Sequence, residues 1–329
     1  MIKKILIIRF SSLGDTLLCT PIARCLKEKG GYEVHFLTKK ASVPLLEGNP
    51  HIDHIHVFND SLKECILDLQ KEKFDFVVDL HKNLRSFCVR AALHKLWKQV
   101  GTYPKLSVAR FARIHLHCKK AMPPTHVVDR YFKAIQSLGI QNDGKGLELF
   151  NLQKPISIEI PQLPFVAIAV GSKHFTKQIP LDRFIELCQN IHAPIVLLGD
   201  QTDANKAQAV LAHCPSVINA CGKLSLAQTA YTIQAARLLI SGDSALMHIA
   251  SALNQNLISI WGSTVPDFGM YPYYPSTSKA IHLLFENLNI NCRPCHKHGY
   301  PACPKKHFSC MENIDYKQIT TEVTHILSF

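Results

Sequence analysis

The residues near the N-terminus that are best suited to chemistry follow an apolar run. Ser11, Ser12, Gly14 and Asp15 stand directly after residues 4–10, a stretch typical of a buried strand. Gly14 lets the backbone turn and approach a ligand closely, and a helix that starts near Asp15 would offer free N–H groups to an anion. At that position Asp15 could take a proton from a hydroxyl group. The alternative is a helix N-cap, which is a common role for aspartate.

A second group of polar residues follows the apolar run 165–170. Gly171 and Ser172 come first, and Thr176 and Lys177 follow shortly before a helix start at Pro180. Such a loop can hold a diphosphate through a lysine, a hydroxyl group and backbone N–H groups. The alternative is an exposed basic loop without a ligand.

A third group follows the apolar run 237–241 and opens a predicted helix. It consists of small and polar residues that could bind phosphate at the helix N-terminus, followed by a histidine one turn later: Gly242, Asp243, Ser244, Ala245 and His248. A lone histidine on a helix is more often a packed core residue than a ligand contact. We therefore favour a core position for His248.

Two further strand ends carry polar residues. Asp203 comes shortly after the run 194–199, where a carboxylate can bind a ribose, or it serves as a helix N-cap. Ser263 and Thr264 follow the run 257–261 and would supply hydroxyl groups.

Four of the twelve cysteines lie close together near the C-terminus, at positions Cys292, Cys295, Cys303 and Cys310. The first pair has the C-x-x-C spacing of zinc knuckles, so a structural zinc is one interpretation; free thiols or a disulfide are the others. The remaining eight cysteines lie among apolar neighbours and are expected to be buried thiols in a reducing compartment.

Strand-like and helix-like segments alternate along the 329 residues, which predicts βαβ units and parallel sheets. Residues 142–164 are rich in Gly, Asn, Gln and Pro and are interpreted as a linker between two α/β halves. Pro21 either kinks the first helix or marks a second start capped by Thr20. Doubly wound sheets bind ligands at the carboxyl ends of their strands, which is where the polar groups stand.

The composition narrows the classes of partner. The net charge of +12 favours anionic partners, namely nucleic acid, an anionic membrane surface or phosphorylated substrates, unless it only forms a solvated basic face. No nucleic-acid-binding motif is present, and neither a dinucleotide fingerprint after the first strand nor a phosphate loop occurs. No apolar window of 18 residues occurs, so no helix is expected to span a membrane, and we expect a cytoplasmic protein. The excess of cations fits peripheral contact with an anionic membrane surface better than contact with nucleic acid.

The order of the motifs resembles the ADP-heptose:lipopolysaccharide heptosyltransferase family, glycosyltransferase family 9. The matching stretches span most of the chain: Phe10-Ser11-Ser12-Leu13-Gly14-Asp15-Thr16, Asp79-Leu80-His81-Lys82-Asn83-Leu84-Arg85-Ser86, Lys177-Gln178-Ile179-Pro180, Gly222-Lys223-Leu224-Ser225-Leu226 and Gly242-Asp243-Ser244-Ala245-Leu246-Met247-His248-Ile249-Ala250. The chain departs from the family at Ser263, where many members have proline, and near Gln201, where some have a ribose-binding glutamate.

The resemblance implies a GT-B fold, with two Rossmann-like doubly wound α/β domains facing a central cleft. Residues 1–155 would bind the acceptor, residues 156–312 would bind the nucleotide sugar, and residues 313–329 would form a helix returning to the first domain. The implied reaction is metal-independent, inverting transfer of heptose from ADP-L-glycero-D-manno-heptose to the lipopolysaccharide inner core, with no catalytic cofactor. The implied location is peripheral, at the anionic inner face of the inner membrane.

The resemblance also implies roles for individual residues. Asp15 matches the family's general base and Lys177 the lysine that neutralises the leaving diphosphate. Asp243 matches the donor-binding loop, while Lys82 and Arg85 match a basic stretch on the acceptor side. The alternatives are a related glycosyltransferase with another donor or acceptor, and a non-catalytic sugar-nucleotide-binding or glycolipid-binding protein.

Overall fold

The computed structural model describes residues 3–93 and 99–328, which form two compact units. The first unit comprises Met1–Leu106, Thr125–Asn151 and Tyr273–Thr277, and the second comprises Ser107–Pro124, Leu152–Pro272 and Ser278–Phe329. The chain thus passes to the second unit close to the expected border at residue 155, but two short segments are exchanged. Residues 107–124 belong to the second unit and 273–277 to the first.

The first unit contains a five-stranded parallel sheet in the order β3-β2-β1-β4-β5. Its strands are β1 (Lys4–Ile8), β2 (Glu33–Lys39), β3 (His54–Phe58), β4 (Phe76–Asp79) and β5 (Val100–Thr102). The central strands are buried on both faces, which explains their nearly continuous apolar sequence.

Helices cover this sheet: α1 (Leu13–Leu17), α2 (Thr20–Gly30), α3 (Leu62–Glu72), α4 (Leu84–Ala92) and α6 (Val127–Phe132), the last continuing as a 3₁₀ helix over Lys133–Leu138. A further 3₁₀ helix spans Lys40–Leu45. Pro21 lies in the first turn of α2, where its missing N–H costs no helical bond. The second helix start predicted at this proline is therefore confirmed, although Cys19 is the N-cap instead of Thr20.

The second unit contains a six-stranded parallel sheet in the order β11-β10-β9-β6-β7-β8. Its strands are β6 (Val166–Ala169), β7 (Ile195–Leu198), β8 (Ile218–Asn219), β9 (Leu238–Gly242), β10 (Leu257–Trp261) and β11 (His282–Glu286). After β8 the chain crosses back to β9, which pairs with the free side of β6. The carboxyl ends of β6, β9 and β10 therefore lie next to one another.

The helices of the second unit are α5 (Ser107–His115), α7 (Leu181–Gln189), α8 (Ala204–Leu211), α9 (Leu226–Ala235), α10 (Ala245–Ala252), α11 (Ser309–Glu312) and α12 (Tyr316–Leu327). Short 3₁₀ helices span Lys119–Ala121, Phe175–Lys177, Gln201–Asp203 and Pro266–Phe268. Ser225 caps α9, because its Oγ accepts a hydrogen bond from the Gln228 amide at 3.2 Å.

The C-terminal helix corrects one expectation. The prediction that residues 313–329 return to the first domain is wrong, because α12 buries Ile319, Val323 and Ile326 in the same apolar core as Ile168 of β6 and Ile240 of β9. The apolar stripe of α12 was visible in the sequence, but such a stripe does not say which sheet it will cover.

None of the helices among the described residues has the length and apolar character needed to cross a membrane.

Candidate active site

Asp15 lies in the first turn of α1, and both of its carboxylate oxygens are engaged. Its Oδ1 lies 2.7 Å from Arg9 Nη2, while its Oδ2 accepts hydrogen bonds from the Ser12 amide at 3.1 Å and from Ser12 Oγ at 2.8 Å. Ser12 is the N-cap of α1, so the N-cap alternative for Asp15 is wrong. Gly14 is buried within α1, Ser11 is exposed, and the Asp15 side chain keeps 19% exposure, enough to be reached by a substrate hydroxyl.

The surroundings of Asp15 set its charge. Burial disfavours the carboxylate, but the Arg9 guanidinium and the Ser12 hydrogen bonds outweigh burial and hold the pKa of Asp15 below its usual value. Asp15 is therefore ionised at neutral pH, which is the form that can accept a proton.

Arg9 is a site residue that the sequence motifs did not assign. It is 8% exposed, and its guanidinium also donates to the Ser11 carbonyl at 2.8 Å, to the Leu80 carbonyl and to Tyr131 Oη at 3.1 Å. The signal in the sequence is a charged residue directly after the apolar run 5–8, because a charge buried at the end of such a run needs fixed partners. His81 lies nearby; burial and then the charge of Arg9 lower its pKa to about 4, so it is neutral at neutral pH.

The two cations predicted for the acceptor side lie in different surroundings. Lys82 Nζ donates to the Tyr103 carbonyl at 3.0 Å and lies 5.9 Å from the centroid of that ring. Arg85 is exposed at the start of α4, with its guanidinium carbon 5.9 Å from the Phe58 ring centroid. Lys82 thus connects the loop after β4 to the residue that follows β5. Arg85 remains available to an anionic ligand.

In the second unit, Lys177 and Asp243 form an ion pair at the carboxyl ends of the central strands. Lys177 Nζ lies 2.7 Å from Asp243 Oδ2, and the two side chains are 15% and 14% exposed. Thr264 Oγ1 donates to the same carboxylate oxygen at 2.8 Å, and Ser172 Oγ donates to the Asp243 carbonyl at 3.3 Å. The structure therefore brings together predicted donor-binding residues from the ends of β6, β9 and β10.

Thr176 and Ser263 shape the loop that carries Lys177. Ser263 Oγ donates to Thr176 Oγ1 at 2.9 Å, and the Tyr300 amide donates to Thr176 Oγ1 at 2.8 Å. Both hydroxyl residues are almost fully buried. Their hydroxyl groups are thus used inside the protein and fix the position of Lys177.

The residues after β9 open helix α10 as predicted. Ser244 caps α10 by accepting a hydrogen bond from an amide of the first turn, and Ala245 is the first helical residue. A Cβ at Gly242 would come within 2.6 Å of the Lys177 carbonyl oxygen, so this close approach of two loops requires glycine. His248 is 3% exposed, which agrees with the interpretation as a packed core residue.

Asp203 lies against the ends of β6 and β7. A Cβ at Gly171 would lie 1.8 Å from Asp203 Oδ1, and a Cβ at Gly199 would lie 2.6 Å from Asp203 Oδ2. The Asp200 amide donates to Asp203 Oδ2 at 3.1 Å, and burial raises the pKa of Asp203. Asp203 stands at the N-cap position of α8, as one interpretation of the sequence has it, but its side chain makes no cap hydrogen bond to that helix. A contact of Asp203 with ribose stays a prediction.

The cysteine-rich tail, defined as residues 292–310, follows β11 and extends into the first turn of α11. All four of its thiols are free, and Cys292 Sγ lies 3.8 Å from His307 Nε2. Within the described part of the chain, no three ligand atoms of the tail lie within 4.8 Å of one another. A zinc ion would thus require the tail to adjust around it.

Ligand atoms that do converge within that distance lie in the first unit, at the amino ends of β2 and β3 and the end of α3. They form the sets Glu33, His35, His54 and His35, His56, Glu72. Lys4 Nζ lies 3.2 Å from Glu33 Oε1 and 2.8 Å from Glu72 Oε2. The Lys4 ammonium group therefore already pairs with one oxygen of each carboxylate, a place that a metal ion would otherwise take.

The chain folds into two parallel α/β units of the GT-B type, and each unit places an ion pair at the carboxyl ends of its central strands, where such sheets bind ligands. The model of glycosyltransferase family 9 (heptosyltransferase) matches residues 64–303, and the chain belongs to this family. This confirms the resemblance drawn from the motifs.

Relatives of the chain carry heptosyltransferase names. Lipopolysaccharide heptosyltransferase 3 of Escherichia coli (strain K12) is 25% identical over 284 residues, covering 76% of this chain and 80% of that protein. Lipopolysaccharide heptosyltransferase 1 of Campylobacter coli is 25% identical over 290 residues, covering 79% and 84%.

Solved structures share the fold. A family 9 glycosyl transferase from Veillonella parvula DSM 2008 superposes with a TM-score of 0.76 at 19% identity, covering 99% of this chain and 97% of that one. ADP-heptose lps heptosyltransferase II of E. coli superposes with a TM-score of 0.72 at 18% identity, covering 98% of each.

Proposed function

We propose that this enzyme transfers heptose from ADP-L-glycero-D-manno-heptose to the inner core of lipopolysaccharide with inversion at the anomeric carbon. The observation that carries the proposal is the pair of ion pairs, Arg9–Asp15 in the first unit and Lys177–Asp243 in the second. One supplies an ionised carboxylate that can accept a proton, and the other supplies a fixed cation. The names of the relatives support the choice of heptose donor and lipopolysaccharide acceptor.

On the donor side, the departing ADP gains negative charge as its bond to the anomeric carbon breaks. Lys177 and the N–H groups at the start of α10 stand where that charge could be stabilised more in the transition state than in the ground state. Asp243 holds Lys177 in place before the diphosphate arrives. In this proposal the countercharge comes from these groups, without a catalytic metal.

On the acceptor side, a hydroxyl oxygen attacks the anomeric carbon and gives its proton to Asp15. Because the pKa of Asp15 is low, the transfer fits a late step, after the new C–O bond has begun to form and the hydroxyl proton has become acidic. Attack from the face opposite the leaving ADP inverts the anomeric centre. Arg85, exposed on α4, is available to the anionic groups of the inner core.

The test is release of ADP from ADP-heptose in the presence of heptose-free lipopolysaccharide. We expect turnover by the wild type and a loss of at least about a hundredfold in kcat for Asp15→Ala, since general base catalysis contributes roughly 10²–10⁴-fold. Asp60→Ala, in the same unit, is the matched control and should keep wild-type turnover. No ADP release by folded wild-type protein would contradict the proposed reaction, and near-normal turnover of Asp15→Ala would contradict only the role of Asp15.

We also propose that the cysteine-rich tail binds a structural zinc through the thiolates of Cys292, Cys295, Cys303 and Cys310. The support is the C-x-x-C spacing and the position of Cys292, Cys295 and Cys303 in the stretch 287–308, which has no helix or strand and can adjust around an ion. Cys310 lies in α11 and would be the fixed ligand. Zinc would supply folding energy to the tail and would take no part in glycosyl transfer.

A further inference from the structure

A long central stretch of the sequence contains no acidic residue. Between Asp79 and Asp129 there is neither Asp nor Glu, while ten of the 37 Lys and Arg residues of the chain fall there. Most of the net charge of +12 therefore arises from this stretch. Charge concentrated in this way attracts an anionic partner along one segment.

Helix α5 lies in this stretch. Unlike an ordinary surface helix, it exposes apolar side chains and buries a charged one. Its exposed residues include Val108 (83%) and Phe111 (59%), and Leu116 (69%) follows its last turn. The side chain that it buries is Arg113, whose Nη2 lies 3.3 Å from Asp267 Oδ2. A surface helix normally turns apolar residues toward the core.

The exposed apolar residues are arranged on one side of α5. Val108, Phe111 and His115 stand at i, i+3 and i+7, which places them on one helical face, and the rings of Phe111 and His115 have centroids 4.5 Å apart. Two exposed lysines, Lys119 and Lys120, follow in the next 3₁₀ turn. This segment, residues 107–120, thus combines an apolar face with adjacent cations.

We propose that segment 107–120 docks onto the anionic surface of a lipid bilayer. Phe111, Val108 and Leu116 would enter the boundary between headgroups and acyl chains, and Lys119 and Lys120 would contact lipid phosphates. Amphipathic helices with aromatic and aliphatic residues on one side and lysines beside them bind membranes in this way. The absence of acidic residues from the segment removes repulsion from the lipid headgroups.

Charge argues against the main competing occupant, a second copy of the chain. Two molecules that each carry a net charge of +12 would bring cationic segments together, which opposes association. An anionic bilayer instead gains from the same charges, and the attraction is weakened by salt.

The experiment is sedimentation of the full chain with vesicles of phosphatidylglycerol and phosphatidylcholine that contain no glycolipid acceptor. We expect the wild type to bind, to bind far less to pure phosphatidylcholine, and to be released by high salt. Phe111→Ser combined with Leu116→Ser, and Lys119→Gln combined with Lys120→Gln, should each weaken binding about tenfold or more.

Matched controls come from exposed residues elsewhere. Ile156→Ser with Leu163→Ser removes two exposed apolar side chains, and Lys305→Gln with Lys306→Gln removes two adjacent exposed lysines. Both control pairs should bind like the wild type. Circular dichroism melting of every variant separates lost binding from lost folding.

Three outcomes would overturn the proposal. The segment variants could bind as tightly as the wild type, or binding could require acceptor glycolipid in the vesicle, which would make the segment an acceptor site. Alternatively, light scattering could show a dimer that the Phe111 variant abolishes. Because the vesicles contain no acceptor, this test is independent of the proposed function. With a soluble, acyl-free acceptor, the segment variants should release ADP at the wild-type rate.

Discussion

At the scale of single residues, Arg9 and Asp15 have to be understood together. Asp15 is partly withdrawn from water, and burial alone would raise its pKa and favour the protonated carboxyl group. The guanidinium at 2.7 Å reverses that direction. A carboxylate that must be ionised in a confined site therefore needs a fixed cation, and Arg9 is itself fixed by the Leu80 carbonyl and Tyr131.

This pairing gives a prediction for pH dependence. Removing the cation in Arg9→Met leaves burial to dominate, so the pKa of Asp15 should rise. The acid limb of the pH profile of kcat/KM for ADP release should then move to higher pH, while Arg9→Lys should show a smaller shift. Lys63→Gln, an exposed change in the same unit, should leave the limb in place. If the acid limb did not move in a folded Arg9→Met enzyme, Asp15 would not be the group whose ionisation limits the rate at low pH.

At the scale of elements, the sequence predicts a strand or helix correctly where its apolar residues are the ones that become buried. The strands β1, β6 and β9 are buried apolar runs ended by polar loops, and the parallel sheets with polar groups at their carboxyl ends could be predicted from that pattern. Helix α5 could not be placed, because it exposes its apolar face and buries Arg113. Likewise, nothing local in α12 specifies that it covers the second sheet.

The zinc proposed for the cysteine-rich tail can be measured directly. Elemental analysis of the purified protein should give one zinc per chain, and Cys292→Ser with Cys295→Ser should lose it and lower the melting temperature. Cys118→Ser, at an exposed cysteine outside the tail, should retain the metal. If the purified protein contained no metal and still unfolded in one cooperative transition, the zinc site would be contradicted.

At the scale of the whole molecule, each unit carries its own core, and the first unit also depends on a buried charge cluster. Arg24 of α2 is 2% exposed; its Nε lies 2.8 Å from Asp143 Oδ2, and its Nη1 lies 2.9 Å from Glu148 Oε1. These bonds connect helix α2 to residues 139–151, the segment through which the chain leaves the first unit. Breaking a buried pair of this kind costs roughly 3–5 kcal/mol, because the remaining charges stay buried without a partner.

The same cluster predicts how stability depends on pH. Burial works against the charged form of Asp143, but the bonds from Arg24 and the Lys145 amide outweigh it and lower its pKa from 3.8. A carboxylate with a depressed pKa in the folded state stabilises the protein above its unfolded pKa, and this contribution is lost as the pH falls. The free energy of unfolding from urea titrations should therefore fall steeply below about pH 4 in the wild type, and less steeply in Asp143→Asn.

The matched control lies on the same helix. Lys27 pairs with Asp53 at 2.6 Å, but both side chains are about a third exposed, so Lys27→Met should cost no more than about 1 kcal/mol, against several for Arg24→Met. If the two variants lost similar stability at pH 7, burial of the Arg24 cluster would not be the source of its strength. If Asp143→Asn kept the full wild-type slope below pH 4, another carboxylate would have to govern acid unfolding of the first unit.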